Sequence, residues 1–295
     1  MKIGIAGVGR MGAAIALRLM EVGHELTVWN RSAAKLKPLV EAGAKVAATP
    51  KELANSVETI ITILTDAAAI DAVYDGPSGL LSGDVKGKLV IEMSTVRPET
   101  EIALAKKVRA KGAAYVECPV GGTTGPARQG KLIGLMGGEP ADTARAKPIL
   151  DQLCRRLEHV GAVGNGAIMK FAINLPLMIS WQAFGEAIAL CRPLGLDPAR
   201  LMDLFGDTSG GTNAVKNRGP AIAKMLAGAD PGPVGFDVDS GRKDLRAMLA
   251  EGKARGIELP LAAGALAAFD EASARGLGAK DGSSLVVYWS ERKKS

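Results

Sequence analysis

At 295 residues, 47% hydrophobic and 23% charged, the chain has apolar material for a large core and length for two domains, which excludes a disordered tail or a small stapled scaffold. Its net charge of +6 comes without basic clusters interleaved with aromatics, so no nucleic acid partner is expected; the excess suits an anionic cofactor and a small anionic substrate. No apolar run approaches a membrane span, and the first residues already read as a strand with no room for a signal peptide, so a cytoplasmic protein without a membrane partner is expected.

The chain opens as strand, turn, helix, strand: Lys2–Ala6, then Gly7-Val8-Gly9-Arg10-Met11-Gly12, then Ala13–Val22 stopped by Gly23-His24, then Glu25–Trp29. The turn is G-x-G-x-x-G in the position a dinucleotide site needs. Gly7 permits the tight turn, Gly9 lets the backbone approach a pyrophosphate, and Gly12 lets the helix pack on the strand. The helix start, with Arg10 and Met11, presents N–H groups and a positive dipole end to the phosphates. The residue ending the second strand sorts NAD from NADP. A carboxylate there binds a ribose 2′-hydroxyl. This chain has Asn30-Arg31-Ser32 and then Lys35, which favour a 2′-phosphate, so NADP(H) is expected over NAD(H).

Next come predicted helices at Lys35–Ala42, Pro50–Ser56 with Thr49 as cap, Asp66–Tyr74, Pro98–Ala110 and Pro140–Leu153. Val46–Ala48, Thr59–Leu64, Leu89–Met93, Ala114–Cys118, Lys131–Met136 and Leu157–Val160 are predicted strands. The alternation predicts an α/β fold whose N-terminal part is a doubly wound, largely parallel Rossmann sheet, with ligands at the carboxyl ends of the strands. That places Leu64-Thr65, Ser94-Thr95 and the Pro119–Gly125 loop around one crevice. After Gly161 the pattern turns helical: Ala167–Leu194 with Pro176 inside, Asp197–Phe205, Pro220–Leu226, Val238–Arg255 and Pro260–Arg275. The three glycines between 161 and 166 suit a hinge. Residues 1–162 are then a cofactor domain, and 163–295 an all-helical substrate and dimerisation domain reached by a long interdomain helix.

Hydride transfer at an alcohol carbon needs a group to take the hydroxyl proton. The two histidines, His24 and His159, lie in no motif and have no ligand-spaced partners, so neither a histidine acid/base nor a metal is expected. Cys118, Cys154 and Cys191 are odd in number, lack CxxC and read as free thiols. Lys170 is the candidate, a lone cation at an otherwise apolar helix start, with Asn174 on the same helical face. A lysine reaching out to solvent is the competing reading. Gly121-Gly122-Thr123-Thr124-Gly125 offers backbone N–H groups and hydroxyls as a nest for an anion. Lys243-Asp244, inside a helix, reads as a surface ion pair.

Five stretches in order resemble the β-hydroxyacid dehydrogenase family, the group of 3-hydroxyisobutyrate dehydrogenases, tartronate semialdehyde reductases and glyoxylate/succinic semialdehyde reductases. They are GVGRMG at Gly7–Gly12, MST at Met93–Thr95, CPVGGTTGPARQGKL at Cys118–Leu132, GNGAIMKFAIN at Gly164–Asn174 and RKDL at Arg242–Leu245. The resemblance runs nearly end to end. It implies a Rossmann domain, a long interdomain helix, a helical C-terminal domain and an active site shared between the domains. It implies Lys170 as acid/base, Asn174 as the residue that orients substrate, Lys243 at the nicotinamide end of the cofactor, and Leu64, Thr65 and Thr95 along the cofactor crevice. Gly121, Gly122 and Thr123 would meet the substrate, and a homodimer or homotetramer is implied.

Two departures bear on substrate. The family's PVSGG loop, whose serine binds the substrate carboxylate, is here PVGGT at Pro119–Thr123, with Gly121 in the serine's place. Thr123 or Thr124 is left to contact the anion, as in the PVGRT-type loop of sulfolactaldehyde reductases, whose arginine is also missing at Gly122. Many members read KxxNN; this chain has Ile173 before Asn174. The expectation is an NADP(H)-preferring oxidoreductase of small β-hydroxyacids or semialdehydes. The alternatives are an imine reductase-like enzyme, a group that usually lacks the lysine, and a non-catalytic cofactor-binding protein of the same fold.

Overall fold

The computed structural model describes residues 1–292. The chain gathers into two compact units, Met1–Lys170 and Phe171–Ser295.

The first unit alternates β1 (Lys2–Ala6), α1 (Arg10–Glu21), β2 (Glu25–Trp29), α2 (Lys37–Glu41), β3 (Lys45–Val46), α3 (Pro50–Ser56), β4 (Thr59–Thr62), α4 (Ala67–Tyr74), β5 (Leu89–Glu92), α5 (Pro98–Ala110) and β6 (Ala114–Glu117). These strands run β3-β2-β1-β4-β5-β6, all parallel, which is the Rossmann order. β7 (Val120–Gly121), α6 (Thr124–Arg128), β8 (Leu132–Gly138), α7 (Pro140–Leu150) and β9 (Cys154–His159) complete the unit. β8 is antiparallel to β6 and β7, and β9 is parallel to β8.

Successive strand residues point to opposite faces. Ile3, Ile5, Ile61, Ile91 and Val116 therefore pack with Ile15 and Leu19 of α1 on one face. Ile60, Val90 and Tyr115 pack with Leu53 of α3 and Leu104 of α5 on the other. Burial on both faces is why these strands read as unbroken apolar runs. Helices begin where a cap is supplied. Thr49 Oγ1 accepts the Glu52 N–H (3.1 Å) just ahead of Pro50, and Asp66 Oδ1 accepts the Ala69 N–H (2.8 Å) at the head of α4.

The second unit is helical: most of α8 (Asn165–Cys191), which starts in the first unit, then α9 (Pro198–Asp207), α10 (Asn213–Leu226), α11 (Val238–Ala254), α12 (Pro260–Ala272) and α13 (Ser284–Glu291). Phe171, Met178, Trp181, Phe184 and Ile188 of α8 are buried with Phe269 of α12 and Leu285 of α13. With the turn that follows, α8 forms a helical stretch over Asn165–Leu194 that is long and apolar enough to cross a membrane, which corrects the expectation that no such run exists. Phe171, Met178, Trp181, Phe184 and Ile188 turn one face of it into the core of the second unit, whereas Met169, Ile173, Leu190 and Leu194 are exposed.

Other expectations are also corrected. Pro220 lies inside α10 instead of at its start, because the Thr212 hydroxyl accepts the Val215 N–H (3.4 Å) and begins the helix at Asn213. A proline on the exposed side of a helix gives up one ladder bond and is tolerated there. The stretch read as a loop at Pro119–Gly125 contains β7 and the start of α6. Lys35–Ala42 divides into a 3₁₀ turn over Ala33–Leu36 and the short α2. α13 is unforeseen: SLVVYWSE is an apolar run too short to tell helix from strand by period.

Candidate active site

The glycine turn joins β1 to α1. Gly7 has φ +98°, and a Cβ on it would collide with the Ile63 carbonyl; a Cβ on Gly12 would collide with the Gly7 carbonyl. Gly9 opens α1 with no side-chain cap, and a Cβ on it would meet no heavy atom within 4 Å. The turn is thus packed from behind and open in front, at a helix start whose N–H groups lack a side-chain acceptor from the cap position. This is a cradle that a pyrophosphate fits. Arg10 is exposed at the helix start and Met11 half-buried. Asn30 Oδ1 accepts the Val8 N–H (3.1 Å) and its Nδ2 donates to the Ser32 carbonyl (3.0 Å), tying the end of β2 to the turn. Arg31, Ser32 and Lys35 are exposed just beyond. These residues fit a nicotinamide dinucleotide.

Thr62, Glu92 and Glu117 close β4, β5 and β6 in register, so the segments that follow leave from one sheet edge. The Leu64 N–H donates to Ser94 Oγ (2.7 Å), and the Ser94 N–H to Glu92 Oε1 (2.7 Å). Glu92 also accepts the Thr62 hydroxyl, which lies 2.7 Å from the Tyr74 hydroxyl. Burial raises the Glu92 carboxyl to about 6, against the opposing pull of Ser94 and Thr62. Thr95 follows half-buried; Thr65 is exposed and donates to Asp66 (3.3 Å).

In the loop after β6, Gly121 pairs with Ile133, and a Cβ there would stand 3.6 Å from Ile133 Cβ, an ordinary contact. Gly122 has φ +121°, and a Cβ there would sit 2.8 Å from Leu132 Cδ2. A serine could therefore stand at 121, whereas any side chain at 122, an arginine included, would be strained. Thr123 occupies the cap position of α6 without bonding to it, so its hydroxyl is not committed to the helix.

Lys170 is 8% exposed and Asn174 7%, so the solvent-reaching alternative for the lysine is removed. Within the second unit, Asn174 Nδ2 donates to Asp244 Oδ2 (3.3 Å), and Lys243 Nζ lies 2.9 Å from Asp244 Oδ1. Asp244 is 2% exposed, which corrects the reading of Lys243-Asp244 as a surface pair. It is a buried carboxylate holding one amide and one half-buried ammonium. A cleft of about 880 Å³ along α9 and α10, lined by Asp197, Met202, Val215 and Lys216 among others, holds none of the residues assigned above.

Sequence reasoning missed Glu92, Glu117 and Asp244. A signal existed for the first two: each is a glutamate ending an apolar strand, in VIEMS and YVECP. An acid at that place is buried unless the strand is cut short.

Residues 2–161 match the family profile described as the NAD binding domain of 6-phosphogluconate dehydrogenase. Residues 164–289 match the one described as NAD-binding of NADP-dependent 3-hydroxyisobutyrate dehydrogenase. Fold, glycine cradle and paired profiles define a nicotinamide-dependent oxidoreductase. The glyoxylate/succinic semialdehyde reductase 1 of Arabidopsis thaliana is 36% identical over 288 residues, 97% of each chain. A solved 3-hydroxyisobutyrate dehydrogenase from Salmonella typhimurium has TM-score 0.86 and 26% identity over 98% of this chain and 99% of its own. Psf3, solved with NADP+ and 2-OPP, has TM-score 0.86 and 26% identity over 97% of this chain and 99% of its own. The chain belongs to the β-hydroxyacid dehydrogenase family.

Proposed function

We propose that this enzyme reduces small aldehydes bearing an acid group with NADPH, or runs the reverse oxidation of a β-hydroxyacid, with Lys170 as the proton-transfer group. The observation that carries the reading is a buried lysine at the start of α8, in a chain whose two histidines lie outside the family motifs. The name of the Arabidopsis relative points to glyoxylate and succinic semialdehyde as substrates. The NADP+ of the Psf3 complex and the exposed Arg31, Ser32 and Lys35 support NADP(H) over NAD(H).

When bound, the nicotinamide supplies the hydride. The residues of this chain do the rest. Lys170 gives a proton to the oxygen of the forming alcohol and, in the reverse direction, takes it back. The Gly122 N–H and the Thr123 hydroxyl hold the acid group, since the Gly121 N–H faces Ile133 in the β7–β8 ladder. Asn174, one turn on from Lys170, orients the same substrate, and Lys243 meets the nicotinamide end. The test is oxidation of NADPH and of NADH with glyoxylate, succinic semialdehyde, tartronate semialdehyde, methylmalonate semialdehyde and sulfolactaldehyde. Turnover with at least one, about tenfold better in kcat/KM with NADPH, is expected, one charge-assisted contact being worth about that much. Intact NADPH binding without turnover on any of them overturns the proposal.

A further inference from the structure

Glu117 is the last residue of β6, and its side chain runs to the start of α8. Its Oε1 accepts the N–H of Gly164 (2.5 Å) and of Gly166 (2.9 Å), and its Oε2 the N–H of Ala167 (3.3 Å). The residue is fully buried. Two glycines make room for it: a Cβ on Gly137 would collide with the carboxylate, and one on Gly166 would stand 3.1 Å from its carbon and 2.5 Å from the Leu135 carbonyl. Gly164, at φ +100°, turns the chain into the helix. Lys170 follows Ala167 by almost one helical turn. In the other direction, β6 runs through Cys118 directly into the Pro119–Thr123 loop.

We propose that Glu117 is a positioning residue: it clamps the first turn of α8 to the strand that leads into the substrate loop, and so fixes Lys170 relative to that loop. The proposal rests on the reading of Lys170 given above. A carboxylate is a poor choice for filling space here. Burial, helped by the charge of Glu92 on β5, pushes its carboxyl up to about 7 in spite of the three N–H donors. Glu101 of α5 is a third buried acid in the same electrostatic neighbourhood, and the Cys118 thiol lies beside it on β6. An apolar side chain of similar volume would be easier to bury. What the acid does that an apolar group cannot is accept from successive N–H groups at the mouth of one helix.

Two substitutions separate acceptance from charge. Glu117→Gln keeps an oxygen in the place of Oε1 and with it the two shorter bonds; Glu117→Ala removes all three. On the best aldehyde substrate, the alanine variant is expected to lose about tenfold or more in kcat, the scale of a misplaced acid/base. Its NADPH affinity, by fluorescence titration, is expected to stay within about twofold, and the glutamine variant to recover kcat to within about threefold, as for a retained acceptor. An alanine variant that is folded by circular dichroism and keeps its parent kcat overturns the proposal, as does a glutamine variant no better than alanine. Hydrogen exchange at the Gly164, Gly166 and Ala167 amides covers two further cases, an alanine variant that does not fold and a parent without turnover. Slow exchange in the parent supports the clamp, and exchange at the rate of open amides overturns it. Absence of parent turnover alone refutes the proposed reaction and leaves the clamp to the exchange data.

Discussion

Glu117 of the first unit and Asp244 of the second are both buried carboxylates, but they hold different kinds of donor. Glu117 accepts from main-chain N–H groups of the α8 start, whereas Glu92 accepts both the Ser94 N–H and the Thr62 hydroxyl. In the second unit, Asp244 accepts from side chains, Asn174 and Lys243. An acid bound to backbone sets where a segment lies, since those donors have no other rotamer. An acid bound to side chains sets where movable groups wait, and those groups can change partner when a ligand arrives. The first arrangement suits a rigid cradle and the second a set of contacts that a substrate completes.

The largest effect is expected at Lys170, which follows the helix start that Glu117 holds. Lys170→Ala is expected to lower kcat by about 100-fold or more, the scale of general acid catalysis. NADPH affinity should be little changed. A fully active variant sinks the proposed chemistry and leaves the buried acids as structural features only. Next in size is the pH dependence of stability. Burial raises Glu117 from the ordinary 4.5 to about 7, so the folded chain holds a proton that the unfolded chain has released between those values. Stability from this group is fully present below pH 4.5 and is lost as pH rises through 7, about 3 kcal/mol in all. Glu117→Gln should flatten that fall, so its melting temperature relative to the parent rises from pH 5 to pH 8. Glu92 titrates in the same direction and remains, so the slope shrinks without vanishing. An unchanged slope would mean that Glu117 is not the acid that titrates.

Much of the first unit was legible because its signals are local. The glycine spacing, the apolar strands and the caps at Thr49 and Asp66 each act over a few residues, and the elements formed where those signals lie. The candidate site was legible to the extent that it is written in motifs: the Gly7–Gly12 turn, the Pro119–Thr123 loop, Lys170 and Asn174. What escaped depends on long-range pairing. Nothing near Glu117 in sequence announces that its partners are Gly164 and Gly166, 47 and 49 residues away. The glycines at 161–166 read as a hinge for the same reason, since a glycine that admits a close neighbour looks like one that only bends. Asp244, beside Lys243 in a helix, reads as half of a surface ion pair; its bond to Asn174, 70 residues away, has no local signature. In the second unit Pro220 misled because a proline at a helix start and one inside it are alike without the distant packing that decides.

Asp244 therefore offers the next test. Asp244→Ala removes one acceptor from the Asn174 amide and one counter-charge from Lys243. Losing buried hydrogen bonds to a charged group costs about 2 kcal/mol, read as a fall in melting temperature. If Asp244 chiefly holds groups for a ligand, a saturating substrate analogue should restore part of that loss, and an unrestored loss would place it with the backbone-binding acids.

The smallest effect is expected at two adjacent glycines of the substrate loop, and it separates sequence choice from backbone demand. Gly121 has no positive φ and room for a Cβ at 3.6 Å from Ile133. Gly121→Ser should fold with stability within about 0.5 kcal/mol of the parent, as for a substitution that meets no clash. It also puts back the hydroxyl that the family loop uses for the substrate carboxylate, so KM for the acid-bearing aldehydes should change while kcat with the best of them changes less. Gly122, at φ +121° with Leu132 2.8 Å from any Cβ, has no such freedom. Gly122→Ser should lose about 1–3 kcal/mol through backbone strain and the forced shift of Leu132. Equal stability of the two variants would show that the loop takes another path in solution. A Gly121→Ser enzyme with parent KM for every aldehyde would move the acid-binding contacts off this loop and onto the α8 side of the site.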